Sequence, residues 1–199
     1  MASVIQVANR SLTKLGSGRI TSLSDDVKAA RSINSCFEDI RDDELRANRW
    51  QFAMKRVSLA ALASSPEFGF TYQYALPADF LRLDMINDEY PAAVMDNYIG
   101  AETQEYMVEG NLILTDIEAP LKLRYIARID DPNQWDVNFR EMVASRIAME
   151  ICEDLTQSDT KKNSAAKDYD RAKKVAIRIG AIEKPPATPP DNTWIISRI

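Results

Sequence analysis

The sequence predicts an α+β fold in which a four-helix bundle carries an inserted antiparallel β-sheet and an extended C-terminal arm. Apolar residues recur every three or four positions up to Asn48 and again from Asp136, as on helices that lie against a core. Between these stretches, apolar and polar residues alternate as in half-buried strands. A proline-rich stretch near the end cannot be helical. We therefore predict a helical bundle over 1–48 and 136–182, a β-rich insertion over 49–135 and an arm over 183–199.

The composition is that of an ordinary globular protein, with 45% hydrophobic and 28% charged residues among 199. This length is enough for one well-buried core, so we expect one main domain. No apolar run approaches the roughly 18 to 20 residues needed to cross a bilayer. The amino terminus lacks the basic-then-apolar layout of a signal peptide. We expect a protein made in a cytoplasm-like compartment, with no membrane as a partner.

The residue types that most often perform catalysis or bind metals are scarce. Histidine, the commonest general base and metal ligand, is absent. Cys36 and Cys152 are far apart and each falls within a helical pattern, which predicts small buried apolar side chains. We therefore expect no catalytic residue, no bound cofactor and no metal.

The net charge of −5 is concentrated in the middle of the chain. Residues 49–135 carry thirteen acids against seven basic residues, and from Asp79 to Glu118 ten acids face Arg82 alone. A surface of this sign repels a DNA duplex. Sequence-specific DNA recognition is therefore not expected.

Two helical patterns open the chain. The first helix is predicted from about Ser3 to Leu15, with Gly16 placed to end it. The second is predicted over 25–48, with a cap from Ser22 or Ser24 and two aspartates, Asp25 and Asp26, in its first turn.

A run of acids, Asp42-Asp43-Glu44, lies near the end of the second helix. Adjacent helical residues point in different directions and cannot converge on one ion, so this run is predicted to be a solvated face rather than a metal or acid-base site.

The middle of the chain contains several strand patterns. Mixed strand character over 52–61 precedes a clear alternation over 70–76, which Pro77 ends. Another strand is predicted over 82–86, and residues 87–104 are predicted to be a loop. The pair Gly110-Asn111 predicts a two-residue turn between strands 106–109 and 112–115.

The last predicted strand has a packed face and a basic face. The packed side comprises Leu121, Leu123, Tyr125, Ala127 and Ile129. Lys122, Arg124 and Arg128 lie on the other side. This basic row could bind nucleic acid, pair with surrounding acids, or contact a neighbouring subunit.

The chain returns to helical patterns at Asp136, a good cap for a helix that runs to about Thr156. Its wide apolar stripe predicts the core of the domain. Ser158 and Asp159 begin a fourth helix with a narrow apolar seam and otherwise basic faces, which predicts a surface helix.

The end of the chain is different in kind. Residues 184–190 favour an extended polyproline form, a stiff spacer of about 20 Å at roughly 3.1 Å per residue. An apolar tip follows. Either the arm docks on another protein through this tip, or the tail folds back on its own domain or is mobile. The candidate docking residues are Trp194, Ile195, Ile196, Arg198 and Ile199.

Four stretches carry a family resemblance in their order and spacing. They are LRANRWQFAMKR over 45–56, YALPADFLR over 74–82, YMVEGNLILTD over 106–116 and LKLRYIARIDDP over 121–132, with the helix that follows the last. Over essentially its whole length the chain resembles the tail tubular protein A family of short-tailed bacteriophages, the head-to-tail adaptors.

The resemblance implies a four-helix adaptor bundle with a β insert, assembled as a dodecameric ring between the portal protein and the tail nozzle protein. It implies a virion protein of the tail, made in the host cytoplasm, through whose ring double-stranded DNA passes without sequence-specific contacts. It leaves open whether tail fibres attach. An acidic lumen would let DNA slide without adhering. The candidate channel-facing acids are Asp84, Asp88, Glu89, Glu102 and Glu105.

Two other classes of function remain as alternatives. A bacterial adaptor or regulator could bind a partner through the Pro186-x-x-Pro189 tail. A hydrolase could use acids of the 79–118 segment, although the chain has no histidine, no glycine-rich phosphate loop and no cluster with ligand spacing.

Overall fold

A computed structural model describes residues 2–87 and 106–183. This part of the chain is mixed helix and sheet, with four α-helices and two three-stranded antiparallel sheets, which confirms the α+β class. The helices are α1 (Val4–Leu15), α2 (Lys28–Ala47), α3 (Val137–Thr156) and α4 (Asp159–Ile182). The strands are β1 (Met54–Leu59), β2 (Tyr72–Ala75), β3 (Phe80–Ile86), β4 (Tyr106–Glu109), β5 (Leu112–Thr115) and β6 (Leu121–Ala127).

Helix α1 has the ends that the sequence predicts. The Ser3 side chain accepts a hydrogen bond from the backbone N–H of Gln6 and caps the helix. Gly16 adopts a left-handed conformation with φ of 69°, and its N–H bonds to carbonyls of the last turn. The predicted boundaries are confirmed.

Helix α2 begins three residues later than predicted. The Asp25 carboxylate accepts hydrogen bonds from the backbone N–H groups of Thr21 and Ser22, at 2.7 and 3.1 Å. These bonds lower the pKa of Asp25 and close a turn before the helix. The helix then starts at Lys28, with Val27 at the N-cap and no side-chain cap. The prediction of Ser22 or Ser24 as the cap, with Asp25 and Asp26 in the first turn, is wrong.

The insertion contains two sheets rather than one. One sheet has the order β1-β6-β3 and the other β2-β5-β4, so the best-patterned strand, β6, is central in its sheet. The β4–β5 hairpin turns at Gly110 with φ of 57°, as predicted. The predicted strand over 52–61 begins instead with a short 3₁₀ turn, Gln51–Ala53, before β1. Most of the loop predicted over 87–104 lies outside the described residues.

Helix α3 is the centre of the hydrophobic core, as its stripe predicts. It packs against α1, α2 and α4. Phe139 is fully buried, and its ring lies 5.0 Å from that of Trp50, 5.0 Å from that of Phe52 and 5.3 Å from that of Trp135. Because Trp50 and Phe52 lead into β1, these ring contacts join the helices and the β1-β6-β3 sheet in one continuous core.

The remaining predictions have mixed outcomes. Ser158 caps α4, as expected, and Asp136 occupies the N-cap of α3 without a side-chain bond to the helix. Cys152 is buried, whereas Cys36 is only half-buried. The arm from residue 184 onward lies outside the described residues, and the proposed division into bundle, insertion and arm stays a prediction. No helix in the described ranges is long and apolar enough to span a bilayer.

Candidate functional site

Arginine side chains converge where the end of α2 meets the β1-β6-β3 sheet, and we call this group the basic junction. At its centre the carboxylate of Asp84, with 1% of its side chain exposed, lies between two guanidinium groups. Arg124 Nε donates to Oδ2 at 2.6 Å, and Arg49 Nε lies 2.6 Å from Oδ1. The junction comprises Arg46, Arg49, Arg82, Asp84 and Arg124.

The other two arginines of the junction connect α2 to β3. Arg46 Nη1 donates to the carbonyl oxygen of Leu81 at 2.6 Å, and Arg82 Nη1 donates to that of Ala47 at 3.4 Å. Burial, and then the nearby Arg49 guanidinium, lower the pKa of Arg82. Arg46 and Arg82 therefore hold the end of α2 on β3, while Arg49 and Arg124 pair with the single buried carboxylate, which leaves an excess of positive charge at the junction.

The geometry corrects one candidate residue. Asp84 was expected among the channel-facing acids, but in this chain its carboxylate is buried beneath Arg49 and Arg124. A hydrogen bond from Arg124 and the adjacent guanidinium charge of Arg49 offset the cost of removing this carboxylate from water, a cost that would remain for an unpaired acid. The other candidates lie outside the described residues and stay predictions: Asp88, Glu89, Glu102 and Glu105 for the channel, and Trp194, Ile195, Ile196, Arg198 and Ile199 for docking.

A second set of cations lies on the paired strands β1 and β6 of the same sheet. In the register of β1 and β6, Arg56 stands directly opposite Arg124, and Ser58 opposite Lys122. Arg56 and Lys122 are exposed, and within 2–87 and 106–183 neither forms an ion pair. Together with Val57 and Leu123, these residues line a shallow groove of about 320 Å³. We call Arg56, Lys122 and Arg124 the basic face.

The basic row predicted on the last strand divides into two parts. Arg124 pairs with Asp84, and Arg128 Nη2 lies 2.7 Å from the Asp42 carboxylate. Pairing with surrounding acids therefore accounts for these two residues. It does not account for Lys122, which faces solvent beside Arg56.

The acid run on α2 is not the solvated face that the sequence predicts. Glu44 is 2% exposed, and its Oε1 accepts a hydrogen bond from the Tyr169 hydroxyl of α4. Lys173 Nζ lies 3.0 Å from the same hydroxyl and 5.3 Å from the ring centre. Only Asp43 of the run is exposed. The missed signal is spacing, because Glu44 lies four residues after Ile40 and seven after Phe37, on the buried stripe.

An acidic groove lies between α2 and α3. It has a volume of about 530 Å³, and its lining includes four acids, two arginines and Cys36. Burial, and then the Glu150 carboxylate, raise the pKa of Cys36 to about 11, so the thiol stays protonated at neutral pH and is a poor nucleophile. The acids and cations that line the groove are Asp39, Asp42, Asp43, Glu150, Arg46 and Arg146. In the described ranges, no group of three metal-ligating residues could hold an ion.

Comparisons with known proteins add no relative to this picture. A scan against models of known protein families finds no match, and a search of curated proteins finds none either.

Proposed function

We propose that the chain is a structural virion protein, a ring-forming head-to-tail adaptor that joins the portal to the tail nozzle and forms part of the DNA ejection channel. The observation that carries the proposal is the ordered series of sequence stretches that resemble the tail tubular protein A family. The series runs from 45–56 to 121–132 and continues into α3.

The positions of these stretches in the fold support the proposal. The stretch 45–56 takes the chain from α2 into β1 and contains Trp50, whose indole N–H donates to the Glu44 carbonyl at 2.7 Å. The stretch 74–82 connects the two sheets, and 106–116 forms the β4–β5 hairpin. The stretches that carry the resemblance thus contain the connections between elements, the β4–β5 hairpin and the central strand β6, which together determine the architecture of the domain.

The arrangement of the helices is also compatible with a four-helix adaptor bundle. Two helices precede the strands in sequence and two follow them, and α3 contacts the other three. An insertion between two halves of a bundle leaves the sheet surfaces that do not pack on the helices available for contacts with other subunits. The proposed arm would begin where α4 ends at Ile182.

The chemistry of the described side chains favours an interaction role over an enzymatic one. The partly buried acids mostly have cationic or hydroxyl partners, as Asp79 does with Lys55 and Tyr125 at 2.6 and 2.9 Å. Carboxylates held in this way are stabilised as anions and make weak general bases. The surface instead presents separate groups of positive and negative charge, which suit recognition of another protein.

The test is a mass measurement of the purified protein alone and with a purified portal ring from the same phage. We expect a portal-bound assembly whose added mass corresponds to a ring, with twelve copies on a twelve-fold portal. A portal ring from an unrelated phage is the control and should remain unbound. A protein that keeps its own mass in the presence of its portal would contradict the proposal.

A further inference from the structure

We infer that the basic face of one copy is the docking surface for the acidic segment 88–105 of a second copy. The inference rests on the ring assembly in the proposed function and names a contact that would close that ring. It assigns the acids of this segment to a subunit interface, in place of the channel-facing position that the sequence predicts for Asp88, Glu89, Glu102 and Glu105.

The first argument is the register of β1 and β6. Arg56 and Arg124 are directly opposite each other, and side chains in such pairs have Cβ atoms about 4.5 to 5.5 Å apart. Like charges at this distance destabilise a sheet. Asp84 already offsets the charge of Arg124, and a carboxylate bound beside Arg56 and Lys122 would offset theirs through charge-assisted hydrogen bonds.

The second argument is that a buried residue, Asp84, holds part of the basic face in place. Arg124 is anchored by its bond to buried Asp84, and Arg49 reaches the same carboxylate from the other side. Arg56 and Lys122 flank this anchored group and are exposed. The groove is therefore already formed before a partner binds, with Arg124 fixed in place and the exposed side chains of Arg56 and Lys122 able to adjust. A preformed site reduces the entropy that is lost on binding.

The third argument is the occupant. Residues 88–105 contain Asp88, Glu89, Asp96, Glu102 and Glu105 and no lysine or arginine. One chain thus carries a cationic surface and an anionic segment as separate features. Two complementary surfaces on one subunit make a head-to-tail contact, the type that generates rings. Opposite charge at such a contact fixes its orientation and excludes wrong pairings.

A nucleic-acid duplex is the other class of anion that could meet this face. The observations favour the protein segment, because the chain has a net charge of −5 and the basic face has three cations, one of which is paired with Asp84. A duplex gains affinity with each phosphate that a cation neutralises, so a face with so few cations binds it weakly. Binding of a duplex is therefore an outcome that the experiment must separate from docking of the segment.

The experiment is a charge swap between two versions of the full chain, each assembled on its portal ring. The first version carries Arg56→Glu and Lys122→Glu. The second carries lysine at the acids of the segment, through Asp88→Lys, Glu89→Lys, Glu102→Lys and Glu105→Lys. We expect each version alone to lose the ring mass, because every contact then places like charges together.

An equimolar mixture of the two versions should restore the ring. In an alternating arrangement each interface again joins opposite charges, either the original pair or the swapped one. A chain that carries both sets of changes should also form rings by itself. The conservative variant with Arg56→Lys and Lys122→Arg keeps the charge and should assemble like the wild type. Thermal melting of each version reports whether it is folded.

Several results would overturn the inference. If the wild type forms rings and the mixture does not, the inference is wrong while the proposed function stands. If the chain with both sets of changes forms rings but the mixture of the two versions does not, the contact lies within one subunit. Ring formation by the first version alone, accompanied by lost binding of a short DNA duplex at low salt, would assign the face to nucleic acid. If the wild type does not bind the portal ring, both the proposed adaptor function and this inference are wrong.

Discussion

The Asp84 carboxylate shows how burial changes the contribution of an ion pair to the stability of the fold. Its side chain is 1% exposed between Arg49 and Arg124, whereas the side chains of the Asp26–Arg31 pair are 95% and 65% exposed. Removing one partner of a buried pair leaves uncompensated charge and costs about 3 to 5 kcal/mol. Exposed pairs contribute about 0 to 1 kcal/mol.

We therefore expect Asp84→Ala to lower the free energy of unfolding by about 3 kcal/mol or more. The matched control, Asp26→Ala, should lower it by less than about 1 kcal/mol. Urea denaturation followed by circular dichroism gives both values. Equal losses for the two variants would show that the Asp84 site is not effectively buried in solution.

Acid stability is a second property that single residues control. Burial raises the pKa of Asp79, but hydrogen bonds from Lys55 and Tyr125 outweigh it and lower the pKa below 3.8. Burial likewise opposes the effect of Lys14 and Arg10 on Glu141, whose pKa is lowered from 4.5. A carboxyl with a lower pKa in the folded state stabilises the fold above its unfolded pKa, and this contribution is lost as pH falls through the folded pKa.

The free energy of unfolding should therefore decline as pH falls from about 5 through these lowered pKa values. Asp79→Asn, which cannot titrate, should be less stable at pH 7 and should show a shallower decline. Denaturant titrations at a series of pH values measure both slopes. Parallel curves for the variant and the wild type would exclude Asp79 as a source of the acid sensitivity.

At the scale of elements, the β4–β5 hairpin depends on the backbone conformation of Gly110. Its φ of 57° lies in the left-handed region, and nothing lies within 4 Å of where a Cβ would be. Gly110→Ala should therefore cost about 1 kcal/mol through backbone strain alone.

Gly18→Ala is the matched control. Gly18 has the same open surroundings but no positive φ, so its substitution should be neutral or slightly stabilising. Thermal denaturation compares the two variants. If Gly18→Ala destabilises the protein as much as Gly110→Ala, the difference in backbone conformation is not the cause.

For the whole molecule, the proposed adaptor role makes a prediction about the arm. The hydrophobic core of the described chain lies within residues 7–176, and α4 ends at Ile182. Deletion of 185–199 should therefore leave the melting temperature nearly unchanged. It should abolish joining to portal rings, because burial of Trp194, Ile195 and Ile196 would supply several kcal/mol per subunit before the cost of ordering the arm.

Triple substitution of these three residues by serine is the companion test, since it keeps the length and the prolines of the arm. It should reproduce the deletion. Portal rings that bind the truncated protein at normal occupancy would exclude the arm as the docking element.

Periodicity alone predicts most of the elements of this fold. The apolar spacing of α1 and α3, the alternation on β6 and the Gly110-Asn111 turn all correspond to observed structure, because each depends on residues close together in the chain. The start of α2 was missed although its cause is local, since the Asp25 carboxylate bonds to the turn before the helix instead of lying in its first turn.

The environments of the charged side chains depend on contacts that no local pattern contains. Glu44 is buried because Tyr169 of α4, 125 residues away, donates to it, and Asp84 is buried because Arg124 approaches from 40 residues away on the neighbouring strand. Spacing predicts that Glu44 lies on the apolar stripe of α2. It does not predict that the hydroxyl of Tyr169 lies within hydrogen-bond distance. Local sequence thus specifies which elements form, whereas the packing of distant elements determines which charges are buried and which, like Arg56 and Lys122, remain exposed.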